Sequence, residues 1–235
     1  MPASSGSGDA TGAPEDPTYR TAVVELLGAV SYGEISAFER MADDSRLAPT
    51  LEDKVALATM ASTEFGKVAR LHQRIRDLGG DPFAAMAPFR SPIDDFHAHT
   101  APADWFEGLV KAYVGDGLAD DFYREIAATL DPETRELILS SMQEGPHAAF
   151  VVARARAGIE ADPRLGGRLA LWSRRLMAEA LTQAQRVAAE REALTAFLVG
   201  GAAGVPAWDL VEIGRMFGRL SDRHAERMRR LGLQP

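Results

Sequence analysis

Along nearly the whole chain after residue 17, apolar residues recur at steps of three and four, and nowhere do they alternate with polar ones over the length of a strand. Stripes of that period are buried by packing helix on helix, so the expected fold class is all-α. Six helical patterns can be read, most of them opened by a side chain able to accept from free backbone N–H groups. Thr18, behind Pro17, opens a helix to about Ala42. Thr50 with Asp53 forms a capping box for a second helix that runs to Leu78 and stops at Gly79-Gly80. Asp104 with Glu107 starts a third, ending near Leu130, and Asp131-Pro132 starts a fourth that carries Leu137 through Val151. Asp162-Pro163 precedes a fifth over about Gly167 to Leu198, and Pro206 begins a sixth reaching Leu231.

The connections decide the topology. Between Gly79 and Asp104 lies a crossover with Pro82, Pro88, Pro92 and Pro102, far beyond the roughly 2–8 residues that usually join bundle helices. The other early connections are short, so helices one and two, and three and four, pair as antiparallel hairpins. Two hairpins joined by one long crossover make the ferritin-like four-helix topology. Residues 1–16, with no large apolar residue after Met1, read as a disordered tail. Residues 17–235 read as a single domain, with a core bundle over 17–160 and two further helices over 161–235.

A chain of 235 residues can bury a sizeable core. It has no cysteine, which excludes disulfides, thiolate metal sites and a cysteine nucleophile. No apolar run approaches the ~20 residues that span a bilayer, and no secretory signal is visible at the start. A cytoplasmic protein with no membrane partner is expected. The net charge is −8, yet residues 146–235 hold 14 arginines, no lysine and 9 acids. Arg215, Arg219, Arg223, Arg227 and Arg230 form a stripe that either contacts RNA phosphates or pairs with acids on helix surfaces. No phosphate-binding glycine loop, dinucleotide fingerprint or serine elbow is present.

The chemistry lies where acids interrupt the stripes. In the first helix Glu34 falls in line with Val23, Leu27, Val30, Phe38 and Met41. In the second, Glu64 falls among Leu57, Met60, Val68, Leu71 and Ile75. The third sets Asp116 and Asp120 between Tyr113 and Tyr123, and the fourth carries Glu144 with His147 three residues on. A buried carboxylate costs several kcal/mol unless it is paired or binds a cation. Four converging acids therefore call for positive charge, and a hard divalent metal supplies it. Glu144-x-x-His147 is the kind of unit that projects two ligands from one helix face. Elsewhere, His97 and His99 read as loop residues, His72 as a helix-flank residue and His224 as a satisfied core histidine. Tyr113 and Tyr123 stand a turn from the acids, able to hydrogen-bond them.

These segments resemble the ferritin-like di-iron family, and more narrowly the MiaE-like tRNA hydroxylases, over about residues 20–152. Tyr32-Gly33-Glu34-Ile35-Ser36-Ala37 is similar to that family's first ligand segment, and Thr63-Glu64-Phe65-Gly66-Lys67 falls at its first Glu-x-x-His. Val114-Gly115-Asp116 falls at the third-helix carboxylate, and Gln143-Glu144-Gly145-Pro146-His147 matches the second Glu-x-x-His. The resemblance implies a non-haem iron monooxygenase that hydroxylates an isopentenyl-type group on a modified tRNA adenosine. It would use O2, one or two iron ions and an external electron donor, with tRNA as partner. Its metal ligands would be Glu34, Glu64, Asp116, Glu144 and His147, with Asp120 as substitute for Asp116 and Tyr113 beside them. Three residues depart from the pattern: Lys67 in place of histidine, the shorter Asp116, and Pro146 within the ligand helix. They open the alternative of a non-enzymatic helical binding or assembly protein, its metal site vestigial and Lys67 neutralising the acids. Whether the chain forms a homo-oligomer is left open.

Overall fold

The computed structural model describes residues 16–142, 146–198 and 210–235, and among these the only regular structure is helical. The first hairpin is α1 (Pro17–Asp44) against α2 (Leu51–Asp77). The Asp16 carboxylate accepts from the Thr18 amide at 2.8 Å, with Pro17 in the first turn, where a missing N–H costs nothing. The Thr50 hydroxyl accepts from the Asp53 amide at 3.1 Å and donates to the Asp53 carboxylate at 2.8 Å. Gly79, at φ 79°, ends the hairpin in a conformation that side chains disfavour.

The crossover is not a loop. It folds into α3 (Pro82–Met86), a short 3-10 turn, and α4 (Arg90–His99). Asp81 caps α3 through the Phe83 and Ala84 amides. Pro82, Pro88 and Pro92 sit in first turns, so a proline-rich stretch became two short helices rather than extended chain. α3 lies so close to α1 that a Cβ on Gly28 would stand 2.2 Å from the Ala85 carbonyl oxygen.

The second hairpin begins with α5 (Trp105–Ala127), capped by Asp104. The single fourth helix expected from Asp131 onward is instead two: α6 (Pro132–Ser141) and α7 (Pro146–Ala161). Pro146 has no N–H to continue the ladder from α6, so it opens a new helix. The expected fifth helix is likewise two, α8 (Pro163–Glu190) and α9 (Glu192–Leu198), with Arg191 between them drawn into an ion pair with Glu25 of α1. α10 (Leu210–Arg230) closes the chain. Three described helices therefore follow the bundle where two were expected. α8 packs along α4 and α5, α9 against α1, and α10 against α5. No described helix is long and apolar enough to cross a membrane.

The apolar interior comes in two parts. One gathers Met41, Leu57, Met60, Leu109, Tyr113, Val151, Leu169 and Trp172. The other gathers Tyr19, Leu26, Leu27, Leu71, Ile75, Phe89, Ile126 and Ile138. Burial of each large side chain contributes about 1.5–3 kcal/mol. On α1 the first part ends at Ala37 and the second at Val30, so Glu34 stands at the divide. The same break falls at Glu64 and Lys67 on α2 and at Asp120, between Leu118 and Phe122, on α5.

Candidate functional site

At that divide the helical period brings the acids of three helices together. Glu34 comes from α1, Glu64 and Lys67 from successive turns of α2, and Asp116 and Asp120 from successive turns of α5. The Lys67 ammonium donates to Glu34 Oε1 at 3.4 Å, lies 3.3 Å from its Oε2, and donates more closely to Glu64. The three side chains are each 9–12% exposed. Burial pushes the Glu34 carboxyl well above the usual range, its contact with Glu64 pushes further, and Lys67 only partly opposes this. Burial raises Asp116 and Asp120 as well, with Glu64 adding to it in each case. For Lys67 the balance goes the other way: burial disfavours its charge, but Glu34, Glu64 and Asp116 together outweigh it, so the ammonium is held.

Two cavities meet at this cluster. One, of about 200 Å³, is a slot between α1, α4 and α5 with mostly apolar walls. The other, of about 280 Å³, lies between α2, α5 and the ends of α6 and α7, and polar side chains line much of it. Asp116 and Asp120 face both. Asp116 is ringed by protein atoms yet exposed, its side chain opening into both cavities. Gly33, Ala37, Ala112, Gly115 and Ala119 keep that space clear.

Several expected site residues fall into place here and others do not. Glu34, Glu64, Asp116 and Asp120 converge, and His147 lines the polar cavity with Glu64, Lys67 and Asp116. Tyr113 and Tyr123 flank the cluster, one on each cavity. Glu144 lies outside the described residues, as do residues 1–15 of the expected tail and the start expected at Pro206. Burial lowers the affinity of the His224 ring for a proton to a pKa of about 4, and neither ring nitrogen finds a hydrogen-bond partner, so it is a core histidine but not a satisfied one. His97 and His99 sit on α4 rather than in a loop. His97 turns inward onto the slot, and His99 meets Glu179 at 2.8 Å on the surface. Arg40 and Lys111 also reach the slot. They lie off the stripes, and only the packing of α1 against α5 reveals them.

The donor set does not fit a pair of metal ions. An ammonium can only donate, and Lys67 lies where a metal would have to touch Glu34 and Glu64. Among the described residues no three His, Asp or Glu side chains are grouped to hold a metal ion. What the arrangement can do is accept hydrogen bonds from, or balance the charge of, a molecule entering either cavity.

The arginine stripe of α10 is largely spent on acids. Arg219 and Arg223 both pair with Glu125, Arg227 pairs with Asp121 and donates to the Gly117 carbonyl, and Arg215 pairs with Glu212 of its own helix.

A sequence model of the ferritin-like domain of actinomycetes matches residues 17–201. Among solved structures, protein 19 with aldehyde deformylating oxidase activity from Synechococcus is similar with a TM-score of 0.70, over 94% of this chain and 94% of that one, at 20% identity. At that identity the likeness concerns the fold alone. No curated protein matches in sequence.

Proposed function

Because this chain belongs to the actinomycete ferritin-like domain family, we propose that it is a ferritin-fold binding protein in which the Lys67 ammonium takes the place of metal, and whose internal cavities receive a small molecule. The observation that carries this reading is the contact of one Lys67 nitrogen with both Glu34 and Glu64. A fixed cation there offsets the acids that a metal would otherwise have to balance. Asp116 and Asp120, facing open space, are left to accept from a ligand.

The test is metal per chain after identical iron loading of the parent and Lys67→His. The parent is expected to hold at most one metal, and the variant, which regains a nitrogen ligand three residues from Glu64, to approach two. Two metals in the parent would overturn the proposal.

A second reading is favoured by one observation, that Glu64, Asp116 and His147 line a single cavity. Here Lys67 swings away, iron binds, and the protein is an oxidase of the ferritin-like kind. The structural relative's aldehyde deformylating oxidase activity lends it support, and tRNA hydroxylation is its most specific form. For tRNA, phosphates would have to displace Glu125 and Asp121 from the α10 arginines. Binding to tRNA that falls with rising salt, and falls again in Arg223→Glu/Arg227→Glu, would favour that form. No binding at low salt would remove it.

A further inference from the structure

The slot between α1, α4 and α5 has two ends of opposite character. Its inner end is the acid cluster, with Glu34, Asp116 and Asp120. Its outer end carries Arg40, His97 and Lys111, with Asp44 as the acid beside them. Apolar side chains line the rest, Met41 and Phe96 on the side of the basic end and Val30 and Ile93 beyond the acids.

At the outer end Asp44 is the one lining acid set against Arg40 and Lys111. Arg40 has Glu39 at 4.0 Å, the limit of an ion pair, and is 48% exposed. Lys111 is buried, donates to the Thr100 carbonyl at 2.7 Å and lies 5.7 Å from the centre of the Phe96 ring. Burial pushes it down to about 8, with Asp44 opposing and Arg40 adding to the shift. The His97 Nδ1 is buried with no partner. Burial, with Lys111 and Arg40 nearby, pushes that ring down to about 3, so it is neutral and able to donate one N–H. Asp44 compensates Lys111 in part, which leaves Arg40 and the His97 ring as the open contacts.

We propose that this slot binds a medium-chain monocarboxylate, its carboxylate on Arg40 with Lys111 and His97, and its alkyl chain running inward along Met41, Phe96 and Ala37 to the level of Glu34. This deepens the small-molecule reading above and rests on it. The orientation follows from charge: a carboxylate at the inner end would face three acids, whereas at the outer end it meets two cations and a ring N–H against the one acid Asp44. The length follows from the helix. From Glu34 to Arg40 is six residue steps, roughly 9 Å at about 1.5 Å each, which suits an extended chain of about seven or eight carbons.

The experiment is calorimetric titration of the full-length protein at pH 7 with octanoate, dodecanoate, octanol and octylamine. Octanoate is expected to bind best. Arg40→Gln, at an exposed position, is expected to weaken it about tenfold, in keeping with the loss of one charge-assisted hydrogen bond. Ala37→Phe, which fills the middle of the slot, is expected to abolish binding while circular dichroism remains that of the parent. Lys111→Met is expected to weaken octanoate as well, and Arg40→Gln carries the test should that variant not fold. Preference for octylamine would overturn the proposal, because the head group would then sit on the acids. So would unchanged octanoate affinity in Arg40→Gln, or no binding of octanoate to the folded parent. Metal per chain, measured on the same samples, separates this from the reading it rests on. Octanoate binding with two metals present would leave the slot standing and remove the lysine-for-metal reading. Low metal without octanoate binding would do the reverse.

Discussion

Two groups of buried charges lie two turns apart along α2, one at Arg74 and one at Lys67, and they behave oppositely. Around Arg74 every partner is matched. Its guanidinium donates to Thr134 at 2.9 Å, to Asp131 at 2.9 Å and to Glu133 at 2.5 Å. Asp131 also accepts from the Thr134 amide at 3.0 Å and from the Tyr19 hydroxyl at 3.0 Å. Burial pushes Asp131 up, but its bonds from Thr134, Tyr19 and Arg74 more than offset this, so it stays below the usual carboxylate range. Around Lys67 several acids share one cation, border two cavities, and are pushed up instead. A saturated network ties α1, α2 and α6 together. An undersaturated one beside open space is a place for something to bind.

The contrast can be broken by mutation. Arg74→Met should cost the most, about 3–5 kcal/mol, because it leaves Asp131 buried without its cation. Urea unfolding reads this, and a loss below about 1 kcal/mol would mean that the network is not what joins the helices. Asp131→Asn should cost about 1.5–3 kcal/mol, the range for hydrogen bonds to a charged group. It should also change the acid limb. Since the folded carboxyl titrates below its unfolded value of about 3.9, its contribution is complete above that value and fades as the pH falls through the folded one. The variant should therefore lose less stability than the parent below about pH 4, checked by thermal melts at stepped pH.

Lys67→Met should be milder, about 1–2 kcal/mol, because burial already pushes Glu34 and Asp116 toward their protonated forms and the cluster borders two cavities. Equal losses for Lys67→Met and Arg74→Met would erase the distinction between the two groups. Glu133→Ala should matter least, about 0–1 kcal/mol, since that carboxylate is 72% exposed. A larger loss would show that the network depends on its surface member.

Helix starts were legible because capping is local. Thr50, Asp104 and Asp131 each accept from an amide three residues away, and such a contact is written in neighbouring letters; Asp16, not Thr18, caps the first helix, and the helix after Asp162 begins at Pro163 rather than near Gly167. Glu34, Glu64 and Asp116 were legible for a related reason: a residue's place on a helix face follows from its count along the chain. The breaks at Met142 and Arg191 were harder to see, because apolar spacing carries on across them while proline or a distant ion pair ends the helix. The two helices within the crossover were masked by prolines that also suit loops.

Contacts between distant parts of the chain had no such signal. Arg227 finds Asp121 across 106 positions and Arg191 finds Glu25 across 166. Arg40, His97 and Lys111 share a slot only because α4 is laid between α1 and α8. The letters alone made the chain a helical bundle with acids on its inner faces, since period and caps act over a turn or two. That Lys67 turns its ammonium onto two of those acids, and that small residues leave space beside the others, was settled by how α1, α2 and α5 pack, because charge pairing and cavity shape are properties of three helices at once.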